Sequence, residues 1–502
     1  MKKLIVSSLL AGLVLLTGMA ANIQTTGLAA RLSPQEPPLR LSEPVEAIVA
    51  DLESYIPEYM REKDIPGVGI VLIRDGEVVW TEGFGVANAL TRQPVTSETL
   101  FEVASNSKVV TAYIALRLVD QGLLALDEPL NTYLPKPWLP PSEYRDAITL
   151  RHVLSHSSGL GHGTTSRENR FAPGHGYSYS AVGFQYLQVV IEQITGQSIE
   201  QAAQEMVYAP LGMSSSSFVN RVEFIPRTAN GHVHGLLLAI LFAVLYLASL
   251  GIVGFIGLVI VRIRTGQWRS SRRQVISVHV IAYVLSVLPG FILFGLSSLM
   301  EFAWLFALCG LILLLAYILI FLAGRVIVAR LTSNWAGSRL ILTIIWSVLI
   351  LVGLVFLTSK VPSLPVPKWL PTEAQAAGSM RATTGNMASF LLELSNPQYL
   401  SPEMAAQMRT SQVRLSDDLS WGLGLGIQHS QQGDALWQWG QHLDFQSIMI
   451  IYPEHDFGVF VITNSDFLNP DVALEIAHRA LVGKIEPIRR AIHLEFNYSE
   501  GD

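Results

Sequence analysis

In the stretch "FEVASNSKVVTAYIALRLVDQG", Ser105 and Lys108 stand three residues apart. On a helix, positions i and i+3 share a face, so the lysine amine reaches the serine hydroxyl. A serine at a helix N-terminus also meets the positive end of the helix dipole, which favours its alkoxide. A partly buried lysine with a lowered pKa then serves as base. Together these are the parts of acyl transfer through a covalent serine intermediate. The spacing alone is a weak signal, because a helix cap beside a surface lysine has the same pattern.

Positioning such a pair takes a scaffold, and the sequence outlines one in two flanks. An amphipathic helix is predicted over roughly Glu43 to Arg61, with Val45, Ile48, Val49, Leu52 and Ile56 on one side. In "GVGIVLIRDGEVVWTEGFGVA", two β-rich runs meet at Asp75-Gly76, a pair suited to the positive φ of a tight hairpin. Beyond Thr111 the chain reads as helices and turns up to about Met213. The second flank, from Ala376, opens with a helix near Asn386 to Leu394. It continues through a hairpin, "FQSIMIIYPEHDFGVFVITNSD", to a helix near Pro470 to Val482. Strands at both ends with helices between predict one α+β domain whose antiparallel sheet needs both flanks and carries a helical lobe. Residues 486–502 read as a tail without a signal.

Four apolar segments separate the flanks, at about 235–261, 275–300, 302–324 and 340–359, within an insert spanning 233–360. The first holds 27 residues without a charge, and about 20 are enough to cross a bilayer. The loop "RIRTGQWRSSRRQ" carries five arginines, the second hairpin only Glu301, and the third connection Arg325, Arg330 and Arg339. Basic loops stay in the cytoplasm, so both flanks are expected outside. Residues 1–30 read as a secretory signal or N-terminal anchor, which demands the same side. An even number of crossings returns the chain to the face it left. The expected location is therefore a multi-pass protein of the cell membrane, its partner the lipid bilayer, with 31–232 and 361–485 forming one extracytoplasmic domain.

Composition fits that picture. Half of the 502 residues are apolar and 15% charged, with net charge −6 and mean hydropathy +0.38. No basic stripe invites nucleic acid. The single cysteine, Cys309, excludes a disulfide framework and a cysteine-based metal site. His152, His162 and His175 show no metal spacing, and no metal or other cofactor is expected.

"PVTSETLFEVASNSKVVTAYIALRLVDQGLLALDEPL", "ITLRHVLSHSSGL", "PGHGYSYSAVGFQYLQVVIEQITGQSIEQ", "LGMSSSSF", "RTANGH", "AAGSMRATTGNMASF" and "WGLGLGIQ" follow one another in order. This series resembles the serine β-lactamase and penicillin-binding superfamily, in its class C-like branch of β-lactamases, carboxypeptidases and esterases. The resemblance runs from about Val45 to Val482, the insert excepted. It implies a β-lactamase/transpeptidase-like fold split by the four-helix bundle. It also implies Ser105 as nucleophile, Lys108 as its partner and Tyr179 as proton shuttle, with His156 structural.

Two departures stand out. The family's asparagine two residues after the tyrosine is Ala181 here. The third motif, normally Lys or His, any residue, then Gly, falls on Trp439-Gly440-Gln441, or on Gln438-Trp439-Gly440 without a gap. In either register the cation that would bind a substrate carboxylate is missing. Ala181 and Gln441 then border the substrate, and the second backbone N–H of the oxyanion hole, beside that of Ser105, is expected at His442, with the same one-residue latitude as the motif. The substrate expected is a small molecule or a cell-wall peptide or ester. The alternative is an inactive sensor signalling through the bundle.

Overall fold

Asp75 and Gly76 take φ of 53° and 73°, closing a two-residue turn between β1 (Gly67–Arg74) and β2 (Glu77–Asn88). Both central residues in the left-handed region match the right-handed twist of the strands they join. The computed structural model describes residues 36–161, 167–233, 364–365, 374–465 and 471–497, and the elements below belong to one compact unit, Pro38–Asp502.

β1 is buried along nearly its whole length, because each face meets a different core. Val71 and Ile73 pack into the larger core, and Val68, Ile70 and Leu72 into the smaller one. Two short strands follow, β3 (Gln93–Pro94) and β4 (Phe101–Glu102). α1 (Val45–Lys63) precedes β1, and the helical lobe holds α2 (Ser107–Asp120), α3 (Leu150–Leu154), α4 (Ala181–Thr195) and α5 (Ile199–Ala203). α1 covers the smaller core with Ile48, Leu52, Ile56 and Met60, one apolar stripe at helical spacing. α2 lies almost entirely inside the larger core.

The chain reaches β5 (His232–Val233) and resumes at β6 (Leu364–Pro365), and these two strands pair antiparallel, Val233 opposite Leu364. The exit and re-entry of the long segment between them are thus side by side. His232 fixes the junction: its N–H donates to Asn464 O at 3.0 Å, and its Nε2 accepts from Ala89 N–H at 3.0 Å. The four apolar segments, the N-terminal 1–30 and His162 lie outside the described residues. Among the described residues, no helix is long and apolar enough to cross a membrane.

After re-entry come β7 (Arg381–Ala382), α6 (Thr384–Ser395), α7 (Pro402–Met408), β8 (Val413–Ser416), β9 (Leu419–Trp421) and β10 (Gly426–Gln428). β11 (Ala435–Gln441), β12 (Gln446–Tyr452), β13 (Phe457–Thr463) and α8 (Val472–Leu481) complete the predicted pattern. Nine strands form one antiparallel sheet in the order β3-β2-β1-β13-β12-β11-β10-β9-β8. β1 from the first flank hydrogen-bonds to β13 from the second, so the sheet closes only when both flanks are present, as the sequence predicts.

One element was not legible. The stretch read as a signal-free tail opens with a further helix, α9 (Glu486–Asn497). Its Ile488, Ala491 and Ile492 share the smaller core with α1, α8 and Trp439. Arg489 joins it to α8 through Glu475 and to Asp471 at 3.1 Å.

Candidate active site

Ser105 sits in a 3₁₀ turn, Ala104–Asn106, that runs directly into α2. Ala104, the residue before it, has φ of 49°, a left-handed conformation that costs a non-glycine residue on the order of 1 kcal/mol and needs outside support. That support is dense. Val103 N–H donates to Met380 O at 3.0 Å. Ser447 Oγ donates to Val103 O at 2.8 Å, and Asn106 Nδ2 donates to Ser447 Oγ at 2.8 Å. Ser107 Oγ donates to Ala104 O at 2.6 Å and accepts from Met380 N–H.

One turn along, Lys108 is 3% exposed. Its Nζ donates to Ser105 Oγ at 2.8 Å and to Ala377 O at 2.6 Å. The same nitrogen lies 5.0 Å from the centre of the Tyr179 ring. The expected trio therefore comes together, and it depends on the second flank, because Ala377 follows the insert. Thr111 Oγ1 on Ala376 O holds that returning segment against α2.

Tyr179 is placed by its neighbours in "SYSA". Ser180 caps α4, accepting from Gly183 N–H at 3.0 Å, and its own N–H donates to His156 Nδ1 at 3.1 Å. His156 O takes Ser178 N–H at 2.8 Å. Buried, with φ of 55° and its ring 4.3 Å from that of Tyr179, His156 has the structural place expected of it. Tyr179 also meets Trp439 at 5.0 Å, which leads on to Trp437 and Trp421. Ala181 opens α4 and packs its methyl against the larger core; it offers no polar group where the family pattern has an amide.

β11 brings the third motif alongside. At Gly440 a Cβ would come within 2.2 Å of Val103 O and 3.1 Å of Ala104 Cβ, so glycine is what lets this strand lie against the serine turn. Gln438 is fully buried; its Nε2 donates to Tyr179 Oη at 3.2 Å. A neutral amide thus holds the hydroxyl where a cation was expected to be missing. His442 differs from expectation. Its N–H donates to Phe445 O at 2.9 Å, closing the turn into β12, so it is not the second oxyanion donor. Along an antiparallel strand the N–H groups alternate sides. The N–H of Gln441 therefore faces away from β12, beyond the last β10 pairing at Trp437.

The imidazole of His442 does something the sequence did not announce. Its Nδ1 lies 3.0 Å from Glu102 Oε2, and the other oxygen of Glu102 binds the buried Arg381 guanidinium. Burial pushes the Glu102 carboxyl up, but the His442 hydrogen bond and the Arg381 charge outweigh it and hold it below the usual glutamate range. Asp444 lies beside them against Gly231, and burial, together with the charge of Glu102, pushes it up to about 6. Glu102 precedes the nucleophile by three residues, and no motif marks it.

The family model described as Beta-lactamase matches residues 52–239 and 357–484. The match breaks over the apolar stretch and resumes beyond it. Esterase EstB of Burkholderia gladioli is 31% identical over 36% of this chain and 55% of its own length. Penicillin-binding protein 4* of Bacillus subtilis is 28% identical over 35% of this chain and 44% of its own. The chain thus spans about half the length of the curated relatives it matches. A solved penicillin-binding protein homologue from Pyrococcus abyssi, described as octameric, aligns over 86% of this chain and 76% of its own with a TM-score of 0.55 at 19% identity, which supports the fold. With more than half of its 502 residues matched in two blocks that meet in one sheet, the chain belongs to the beta-lactamase family.

Proposed function

We propose that the protein is a membrane-integrated, extracytoplasmic serine hydrolase that acts on an ester or amide through an acyl-enzyme on Ser105. The observation that carries this reading is the Lys108 amine held between Ser105 Oγ and Ala377 O. Ser105 Oγ attacks the acyl carbon as its proton passes to Lys108 Nζ, and the Tyr179 hydroxyl relays a proton to the leaving group. The N–H groups of Ser105 and Gln441 face the developing oxyanion, in place of the His442 donor first expected. Removing one such donor from a site of this kind typically costs 10²–10³-fold in rate.

Gln438 and Trp439 present no charge to a substrate carboxylate, which favours a neutral acyl donor over a peptide ending in a free carboxylate. The relatives are named both as an esterase and as a penicillin-binding protein, and the neutral third motif points to the esterase side. Membrane integration rests on the four apolar segments, on the gap in the family match and on the β5–β6 junction, where the chain leaves and returns at one place. Anchoring there confines the enzyme to envelope substrates, acyl esters ahead of D-alanyl peptides that end in a free carboxylate.

The test is covalent labelling of membranes that contain the full chain or its Ser105→Ala variant. A fluorophosphonate probe and a fluorescent penicillin are applied separately. Labelling of the wild type alone by the fluorophosphonate is the expected result. Labelling by both would restore penicillin-like recognition despite Ala181 and Gln438. No Ser105-dependent labelling would replace this reading with that of a sensor.

A further inference from the structure

Glu102, His442 and Arg381 sit beside the nucleophile, yet none has a role in the chemistry above. Glu102 Oε2 lies 3.0 Å from Nδ1 of His442. A carboxylate in that place takes the Nδ1 proton as a hydrogen bond, which leaves the lone pair of the neutral ring on Nε2. Arg381 and Glu102 also face each other as cross-strand partners in the β4–β7 pair, so the carboxylate is fixed by backbone and side chain alike.

Gly378 shows where Nε2 points. A Cβ at that position would lie 3.2 Å from His442 Nε2 and 4.0 Å from the carbonyl carbon of Ala104, whose peptide bond leads into Ser105. Glycine leaves that space open between the imidazole and the backbone of the nucleophile. The neighbouring residue, Ala377, accepts the Lys108 amine, so Gly378 lines the same site. The His442 side chain is 34% exposed, whereas Lys108 is sealed at 3%. Water reaches the imidazole more readily than it reaches the lysine.

We infer that His442, oriented by Glu102, is the general base of the second half-reaction, taking a proton from the acceptor that attacks the acyl-enzyme. This rests on the acyl-enzyme reading proposed above. The acceptor is water or an alcohol. Its O–H proton passes to His442 Nε2 while its oxygen bonds to the acyl carbon. The bond between that carbon and Ser105 Oγ breaks, and Oγ takes a proton from Lys108. Lys108, which took that proton from Ser105 during acylation, is again neutral, and the imidazolium proton returns through solvent to the Tyr179 oxygen, whose own proton went to the leaving group, so the products are free Ser105 and a carboxylic acid or ester. Glu102, Asp444 and, behind Glu102, Arg381 are the charged groups around the ring; the carboxylates stabilise the transient imidazolium.

The division of labour is testable with p-nitrophenyl butyrate and the fluorophosphonate on the full chain in detergent micelles. In His442→Gln, the burst of nitrophenol and the rate of fluorophosphonate labelling should stay within about threefold of wild type. The steady state after the burst should fall about 10²-fold, the ordinary contribution of a general base. Acyl-enzyme should then accumulate and be visible by intact-protein mass spectrometry, and added imidazole should restore part of the turnover. Glu102→Gln should give a smaller loss on the same step and move the acidic limb of the kcat profile.

An equal fall of burst and steady state in His442→Gln would overturn the inference, as would an unchanged ratio between them. Retained labelling shows that the variant is folded. If the wild type itself failed to label at Ser105, the acyl-enzyme reading would fall first and this inference with it.

Discussion

On one side of Ser105 the Lys108 amine is clamped between a hydroxyl and a backbone carbonyl, beside the rings of Tyr179 and Phe184 and with almost no exposure. On the other side, Glu102 links His442 to Arg381, Asp444 lies nearby, and the imidazole is a third exposed. The sealed side keeps water away from the amine that takes the serine proton in the proposed acylation, which strengthens every polar contact there. The charged side, with its imidazole a third exposed, is the one the proposed acceptor would enter. An acyl-transfer site has two half-reactions with opposite needs for water, and the difference between the walls matches that division.

The strongest way to break the comparison is on the sealed side. Ser105→Ala should reduce both labelling and turnover to background. Lys108→Met should lower acylation by about 10³-fold, within the usual range for loss of a base, while leaving the melting temperature near that of wild type. A Lys108→Met enzyme that labels at wild-type rate would show that the charged wall alone activates the serine.

Next in size is Gly440→Ala, which disturbs the seam between β11 and the serine turn. The new Cβ would stand 2.2 Å from Val103 O and 2.5 Å from Ser447 Oγ. The strand or the turn must move, and displacement of this order typically costs about 10²-fold in rate together with about 1–3 kcal/mol of stability. Stopped-flow acylation and thermal unfolding should fall together. Loss of stability with undisturbed acylation would mean that the seam does not set the nucleophile.

Much of the sealed wall was legible in the sequence, and little of the charged one. Ser105 and Lys108 are three residues apart on one helix, so local periodicity brings them together. Tyr179 sits in a recognisable run before the N-cap of α4. The β1–β2 hairpin was marked by Asp75-Gly76 and the β12–β13 strands by their apolar residues. The charged wall, by contrast, joins residues 102, 381 and 442 across two flanks and an insert. Its pairing is set by the β4–β7 register and the turn after β11, neither of which leaves a local pattern. The register of the third motif stayed open by one residue for the same reason: whether Gln441 or His442 turns its N–H outward depends on strand pairing, which alternates with every residue. α9 was missed because Ile488, Ala491 and Ile492 are few among charged neighbours. They read as a stripe only once the smaller core is seen to need a cover.

Glu102→Gln sharpens the comparison through stability. It leaves the buried Arg381 beside a neutral amide, and removing one partner of a buried pair costs roughly 3–5 kcal/mol. Glu102 keeps some exposure, so a loss of about 2 kcal/mol is expected by that measure. Adding Arg381→Met should return part of it, read as a rise in melting temperature over Glu102→Gln. If the double variant is no better than the single, the pair is not what holds β4 to β7.

The smallest effect is at Asp444 and carries a sign. Its carboxyl is pushed up to about 6, first by burial and then by Glu102, against 3.8 for an ordinary aspartate. The folded protein thus binds this proton more tightly than the unfolded chain does. Stability from the protonated form is fully present below about pH 4 and is lost as pH rises through 6. Asp444→Asn keeps the neutral form at every pH. Its melting temperature should match wild type near pH 4 and exceed it at pH 7.5. Screening at this half-buried site reduces the gain to about 1 kcal/mol, or ~3 °C. A gain that is the same at both pH values would assign it to shape alone. A gain that reverses would mean that ionised Asp444 stabilises the charged wall, the His442 imidazolium being the group it would hold.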